Sequence, residues 1–241
     1  MSEPSLSVVV PVHNEAEILV DQAESMIAGL RTLGRPFELL LVENGSTDAT
    51  PALCAGLRAS HPEVGVIQVS VGDYGLALKQ GILGARHALV VIFNVEFWSI
   101  EFVRIALAAL ETRKLVIGSK SAPGAHDDRP FVRRTVTRSY NRLLRAVWGF
   151  DGTDTHGMKA FWREALLPIV TACVTGGFVF DTEMVLRAQR ASIPRLELPT
   201  DVHEVRAPGV GSLARRVPSV LRNLFLLTRS VPILPRFGGR A

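Results

Sequence analysis

Two apolar patterns alternate along the first half of this chain. Ser5 to Val12 (SLSVVVPV) is a β-branched run without polar interruption, the pattern of a strand covered on both faces. Ile18 to Leu30 then carries apolar residues at helical spacing. Phe37 to Val42 (FELLLV) repeats the first pattern and runs into ENGSTD, where Gly45 and Ser46 predict a turn and Asp48 falls in the first turn of another helix. Val64 to Val69 predicts a third strand, Leu76 to Ala88 a third helix, and Leu89 to Phe93 a fourth strand. Leu115 to Ser119 adds one more strand. This rhythm predicts an α/β fold: a mainly parallel, Rossmann-like sheet flanked by helices, whose ligands sit beyond the carboxyl ends of the strands.

After Ser119 the alternation stops and arginines accumulate. From Pro130 to Trp148 the helical wheel sets Arg134, Arg138, Arg142 and Arg145 on one side, with Val132, Val136, Tyr140, Leu143 and Val147 opposite. From Pro218 to Arg229, Val220, Leu221, Leu224 and Leu227 oppose Arg222 and Arg229. Such basic amphipathic helices either pack on their own sheet with arginines in solvent or lie in the headgroup plane of an anionic membrane.

Composition narrows this further. With 241 residues, 47% hydrophobic and 21% charged, the chain is long enough for one well-buried core and too apolar for disorder. We expect a domain over residues 1–211, with 212–241 forming a basic helix and tail packed on it. The formal charge of +4 points to an anionic partner: a nucleotide, a phosphate ester, a nucleic acid or an acidic membrane surface. Nucleic acid is not expected, because no groove-reading motif or set of stacking aromatics accompanies the charge. Cys54 and Cys173, without a secretory signal, read as buried thiols in a reducing, cytoplasmic compartment. No window supplies the roughly 18 apolar residues of a spanning helix, and the longest candidate, Leu221 to Leu234, is broken by Arg222, Arg229 and Pro232. Contact with a membrane would therefore be peripheral, at its cytoplasmic face.

Six strings carry chemistry. They are SVVVPVHNEAE from Ser7, LVENGSTDAT from Leu41, YGLALKQG from Tyr74, IGSK from Ile117, DTHGMKAF from Asp154 and FDTE from Phe180. In this order they resemble the motifs of the GT-A glycosyltransferases of family 2, especially the dolichol-phosphate mannose synthase or polyprenyl-phosphate branch. The likeness runs from about Ser5 to Arg216. It implies an inverting transfer of a hexose from a nucleoside diphosphate sugar to a polyprenyl phosphate, or to another acceptor.

The resemblance also assigns roles. Pro11, Asn14 and Glu15 would meet the nucleotide, together with Glu43, Asn44 and Ser46 after the second strand; carboxylates suit ribose hydroxyls and base N–H groups because they only accept. Glu43 and Asn44 stand where the family usually has two aspartates. Tyr74 and Gly75 would border the same donor site. Lys120 and Arg206 would meet phosphate, Arg206 from a Gly-rich stretch containing Ser212 and Arg215. Asp154, His156 and Lys159 would line the acceptor pocket. Arg133 and Arg134 would hold an acceptor phosphate, and Asp181 or Glu183 would act as base if the acceptor were a neutral hydroxyl.

The family's D-x-D position reads Asn94-Val95-Glu96. Two aspartates there hold magnesium or manganese against the donor diphosphate. One carboxylate remains here, so three readings stay open: weakened use of Mg2+ or Mn2+, metal-independent transfer supported by cationic side chains, and a non-catalytic relative that only binds nucleotide sugars. A soluble hydroxyl acceptor in a specialised pathway is the alternative to the lipid.

Overall fold

The computed structural model describes residues 4–201 and 210–233, with side chains of 210–216 excepted. The strands are β1 (Leu6–Val12), β2 (Phe37–Asn44), β3 (Val64–Val69), β4 (Leu89–Ile92), β5 (Leu115–Ser119), β6 (Lys159–Trp162) and β7 (Arg195–Pro199). Between them run α1 (Leu19–Arg31), α2 (Thr50–Ser60), α3 (Tyr74–Gly84) and α4 (Ile100–Ala109). The remaining helices are α5 (Phe131–Trp148), α6 (Arg163–Ala172), α7 (Val179–Arg190) and α8 (Val210–Ser230).

The strands form one sheet in the order β3-β2-β1-β4-β6-β5-β7. All pairs are parallel except those of β6, which runs antiparallel between β4 and β5. The uninterrupted apolar runs predicted a sheet covered on both faces, and β1 is buried along its whole length. Alternate residues serve opposite faces. Val9, Val42 and Ile92 join the side chains of α3, α6 and α7 on one side, whereas Val8, Val10, Leu41 and Val91 join α1, α2 and α4 on the other. Gly81 of α3 explains one close approach: a Cβ there would fall 2.4 Å from Cγ1 of Val9 and 2.8 Å from Cγ2 of Val42.

Strand boundaries agree closely with the hydrophobic runs, but the basic helices pack differently from the wheel. On α5 the core receives Asn141, Leu144 and Trp148, with Tyr140 and Val147 beside them, while Val132, Val136 and Leu143 are exposed. The expected single apolar stripe is thus two stripes. On α8, Leu227 is buried and Val220 and Leu224 pack against the core, but Leu221 is exposed. That helix begins at Val210, inside the expected main-domain range, and rests on α7.

Candidate active site

A cavity of about 880 Å³ opens where β1, β2 and β4 end. Pro11 to Glu15 follow β1, Asn44 ends β2, Gly72 to Tyr74 lead into α3, and Asn94 to Phe97 follow β4. Its far wall comes from Arg133 of α5, His156, the start of α7 and α8.

The first wall is fixed by interlocked turns. Asn14 adopts a left-handed φ of 54°, which a short polar side chain tolerates. Its Oδ1 accepts from Thr47 N at 2.8 Å, and its own amide donates to Ser46 Oγ at 3.0 Å. His13 Nδ1 sits 2.7 Å from the Asn44 carbonyl. Asn44 Oδ1 accepts from Asp73 N at 2.9 Å while the residue lines the cavity. Glu43 is buried and accepts from Ser46 N at 2.6 Å across the turn that Gly45, at φ 65°, makes possible. Neither Glu43 nor Ser46 lines the cavity, so both shape the loop rather than face a ligand.

Asp73 was not singled out by the sequence. Its Oδ1 caps α3 through Leu76 N at 2.8 Å and also accepts from Gly177 N at 2.8 Å, tying α3 to the loop before α7. Gly75 allows that contact: a Cβ would lie 2.7 Å from Cβ of Phe180 and 2.8 Å from the Gly177 oxygen. Two helix N-termini therefore meet at the cavity, the arrangement that favours anions. Tyr74 stacks on Phe178 with ring centroids 5.3 Å apart. Burial, reinforced by the negative charge of neighbouring Asp181, raises the Tyr74 phenol well above its usual range, and its hydroxyl also lies beside Asn94.

Asp181 and Lys159 form a buried ion pair, each about 1% exposed, with Nζ to Oδ1 at 2.6 Å. Lys159 also donates to the Gly157 oxygen at 3.0 Å and does not line the cavity, so it stands behind Asp181 instead of reaching an acceptor. Asp181 Oδ2 has no partner at hydrogen-bonding distance, and its residue lines the cavity. The carboxylate has one oxygen anchored and the other buried without a geometric partner, beside the Tyr74 hydroxyl; an unpaired carboxylate oxygen can accept from a hydroxyl or take a proton.

Glu183 is placed otherwise. It is fully buried, and Oε2 accepts from Val174 N, Thr175 N and Thr175 Oγ1 at 2.7 to 2.9 Å. Oε1 accepts from Arg187 and Ser230. Burial would raise its carboxyl, but these donors, led by the Thr175 amide, hold it below the usual range. Glu183 pins the α6–α7 loop and α8 together and does not meet the cavity.

Asp154, also off the cavity, pairs with Lys120 at 2.5 Å. Burial opposes its ionisation, yet the Lys120 charge prevails and holds the carboxyl down at about 2. Lys120 is therefore engaged rather than reaching the donor, and it faces a second pocket of about 400 Å³ shared with Arg134, Arg138 and Arg142. His156 does line the cavity, but both ring nitrogens are used: Nε2 lies 2.9 Å from the Phe178 carbonyl and Nδ1 2.9 Å from Thr155 Oγ1. A carbonyl only accepts, so Nε2 carries the hydrogen; burial, the largest effect, lowers the ring's pKa. His156 is a wall, not a base.

Arg133 and Arg134 divide. Arg133 faces the main cavity and Arg134 the basic pocket, where it donates to the Asp127 oxygen at 3.4 Å. Arg206 lies outside the described residues, as do the side chains of Ser212 and Arg215. The contribution of α8 through Ser219, Val220 and Asn223 carries no local signal, since only tertiary packing brings it here; Asn223 Oδ1 accepts from Gly176 N at 2.8 Å.

Asn94 and Phe97 pair across a tight turn, N to O at 3.2 and 3.1 Å, which presents Asn94, Val95 and Glu96 to the cavity. Among the described residues no group of three or more His, Cys, Asp or Glu is gathered as a metal cage. Two hard oxygen donors on one turn fit the looser kind of magnesium or manganese site, in which substrate phosphates complete the shell.

Residues 7–168 match the family model for glycosyl transferase family 2. The chain belongs to that family. Among its relatives is glycosyltransferase AglD of Haloferax volcanii, 30% identical over 209 residues, covering 81% of this chain and 32% of AglD. Another is the dolichyl-phosphate beta-glucosyltransferase of Saccharomyces cerevisiae, 27% identical over 225 residues, covering 83% of this chain and 67% of that one. This chain thus spans about a third of the first relative and two thirds of the second. The fold, GT-A, is shared with glucosyl-3-phosphoglycerate synthase of Mycobacterium tuberculosis, solved with Mn2+, UDP and glucosyl-3-phosphoglycerate. That structure superposes with a TM-score of 0.69 at 20% identity, covering 98% of this chain and 83% of the other.

Proposed function

We propose that this glycosyltransferase moves a sugar from a nucleoside diphosphate donor to the phosphate of a polyprenyl acceptor, inverting the anomeric carbon, at the cytoplasmic face of a membrane. The division of charge at the start of α5 carries this reading. Arg133 faces the cavity and Arg134 the adjoining pocket, where Lys120, Arg138 and Arg142 add positive charge. An anionic acceptor approaching an anionic donor needs such cations to offset their repulsion. The yeast relative's name, a transferase acting on dolichyl phosphate, supports the same acceptor class.

In this mechanism the nucleotide lies against Pro11, Glu15 and Asn44, and the sugar against Asp181 and Tyr74. A phosphate oxygen of the acceptor attacks the anomeric carbon opposite the diphosphate. The new carbon–oxygen bond forms as the bond to the donor diphosphate breaks, and the nucleoside diphosphate departs with the electron pair. The nucleophile is already an anion, so no base is required. Asn94 and Glu96, the altered metal motif, would hold a magnesium or manganese ion, whose chemistry is to neutralise the leaving diphosphate.

The buried, unpartnered Asp181 Oδ2 favours a second reading, transfer to a hydroxyl with Asp181 as base. Incubation with UDP- and GDP-sugars, with and without manganese, beside a short-chain polyprenyl phosphate and a panel of hydroxyl acceptors, separates the two. We expect glycosyl phosphate of inverted configuration by NMR, and an Asp181→Asn variant that loses activity without a changed pH profile. Transfer confined to hydroxyl acceptors, with a pH profile that depends on Asp181, would overturn the lipid-phosphate reading. Donor binding with no turnover would instead mark a non-catalytic relative.

A further inference from the structure

We infer that Asn44 reads the base of the donor nucleotide through its side-chain amide, donating an Nδ2 hydrogen to an exocyclic carbonyl oxygen of the base. An aspartate at the same place would do the reverse, since a carboxylate only accepts. The amide selects oxo bases, uracil or guanine, against their amino counterparts, cytosine and adenine. The inference rests on the nucleotide's place in the proposed mechanism and is independent of the acceptor.

The surroundings of Asn44 fix which way its amide lies. The residue ends β2 and is 4% exposed, yet it lines the main cavity. The Asp73 amide donates to one end of the side chain at 2.9 Å. A backbone N–H cannot accept, so that end is the oxygen and the other is Nδ2. Nδ2 makes no hydrogen bond with any described residue. In a residue this buried, an amide nitrogen lacking a protein partner is left for water or a ligand in the cavity.

Neighbouring side chains do not take over this role. A carbonyl only accepts, so His13 Nδ1, 2.7 Å from the Asn44 carbonyl, carries the ring hydrogen. His13 Nε2 is then an acceptor, and Asn14 Nδ2 lies 3.3 Å from it. Asn14 Oδ1 already receives the Thr47 amide. Gly72 brings no side chain to cover them: a Cβ there would sit 3.4 Å from Cε1 of His13 and 3.7 Å from the Asn44 carbonyl oxygen.

Uracil O4 and guanine O6 are carbonyl oxygens that suit such a donor. Cytosine and adenine carry an amino group at the corresponding atom, where N–H would oppose N–H. A site built to hydrogen-bond one group rejects its opposite by about tenfold or more, because polar atoms are then left unpaired.

Calorimetry on the whole chain with UDP, CDP, GDP and ADP tests this without turnover. All four carry the same diphosphate charge, so the ratios UDP to CDP and GDP to ADP report the base alone. In the pair whose ring size the cavity accepts, the oxo member should bind about tenfold tighter. In Asn44→Asp one carboxylate oxygen still accepts from Asp73 N, which preserves the loop, while the other faces the base as an acceptor. The preference should therefore disappear or invert, with a melting temperature within about 3 °C of wild type. The wild-type ratio carries the test even if the variant fails to fold.

An amino base bound by the wild type as tightly as its oxo partner would overturn the inference, and so would a folded Asn44→Asp variant with an unchanged ratio. Binding of none of the four nucleotides would remove the donor-site reading itself, and the inference with it.

Discussion

Asp154→Asn should cost about 2 kcal/mol of stability at neutral pH and erase one acid-sensitive component of the unfolding curve. Asp154 is 1% exposed, and burial alone would disfavour its charge. Lys120 at 2.5 Å and the His156 amide at 3.0 Å more than compensate, taking the carboxyl from 3.8 to about 2. At about 1.4 kcal/mol per pH unit, that depression favours the folded chain by about 2 kcal/mol. In the variant Lys120 is not stranded, because it borders the basic pocket; the cost should stay below the roughly 3–5 kcal/mol of a broken, fully buried pair.

The folded value lies below the unfolded one, so this stability is present above about pH 4 and lost as the pH falls toward 2. Denaturant unfolding of both proteins from pH 7 to pH 3 should therefore show a gap of about 2 kcal/mol that shrinks to roughly half near pH 3. The reasoning is refuted by a neutral-pH gap below about 0.5 kcal/mol, or by a gap that does not narrow on acidification.

Lys159→Met should be costlier, about 3–5 kcal/mol, because it leaves Asp181 charged and buried; adding Asp181→Leu should recover most of the loss, and thermal melts in which the double variant is no better than the single would contradict the ion-pair account. Gly157→Ala puts a Cβ 1.5 Å from the Gly118 carbonyl oxygen, a backbone atom that cannot rotate away. It should lower the melting temperature by roughly 6 °C or more, and a near-wild-type melt would show that β5 and the segment before β6 can separate. Asn94→Asp should raise Mn2+ affinity in the presence of UDP by about tenfold, read by calorimetry or electron paramagnetic resonance. Unchanged affinity would remove the Asn94 turn from any metal role.

Most of the sheet could be read from the sequence because the inner parallel strands are buried on both faces and so are largely apolar, as Leu6–Val12 and Leu115–Ser119 illustrate; the edge strands β3 and β7 are only partly buried. β6 and β7 escaped this reading: β7 carries Arg195 and Glu197, and β6, only four residues long, begins with Lys159, whose burial makes sense only once Asp181 stands opposite. Pro11, Asn44, Asn94 and Asp181, drawn from separate loop motifs, line one cavity. The motifs could not tell ligand-facing from loop-holding carboxylates. Glu43 and Glu183 resemble Asp181 in sequence, yet one caps the Gly45 turn and the other gathers five hydrogen bonds. The difference is set by which backbone N–H groups happen to converge, and those lie in segments distant from any motif or hidden inside its turn. The basic helices posed a similar problem, since a wheel identifies an apolar side but not whether protein or another medium covers it.

The charges around the cavity set a condition on the chemistry. Among its described lining residues, Glu15, Asp73, Glu96 and Asp181 are carboxylates, and Arg133 is the one permanently charged cation. A donor diphosphate entering there meets more negative than positive charge and must be compensated by a metal ion, by helix N-termini or by cations brought from elsewhere. An aspartate at position 94 would add a fifth carboxylate and make the deficit deeper. Asn94 lessens it and keeps an oxygen donor on the turn, beside the neutral Tyr74 hydroxyl. The amide therefore lowers affinity for a cation and the need for one together, which makes metal dependence a graded property of this turn.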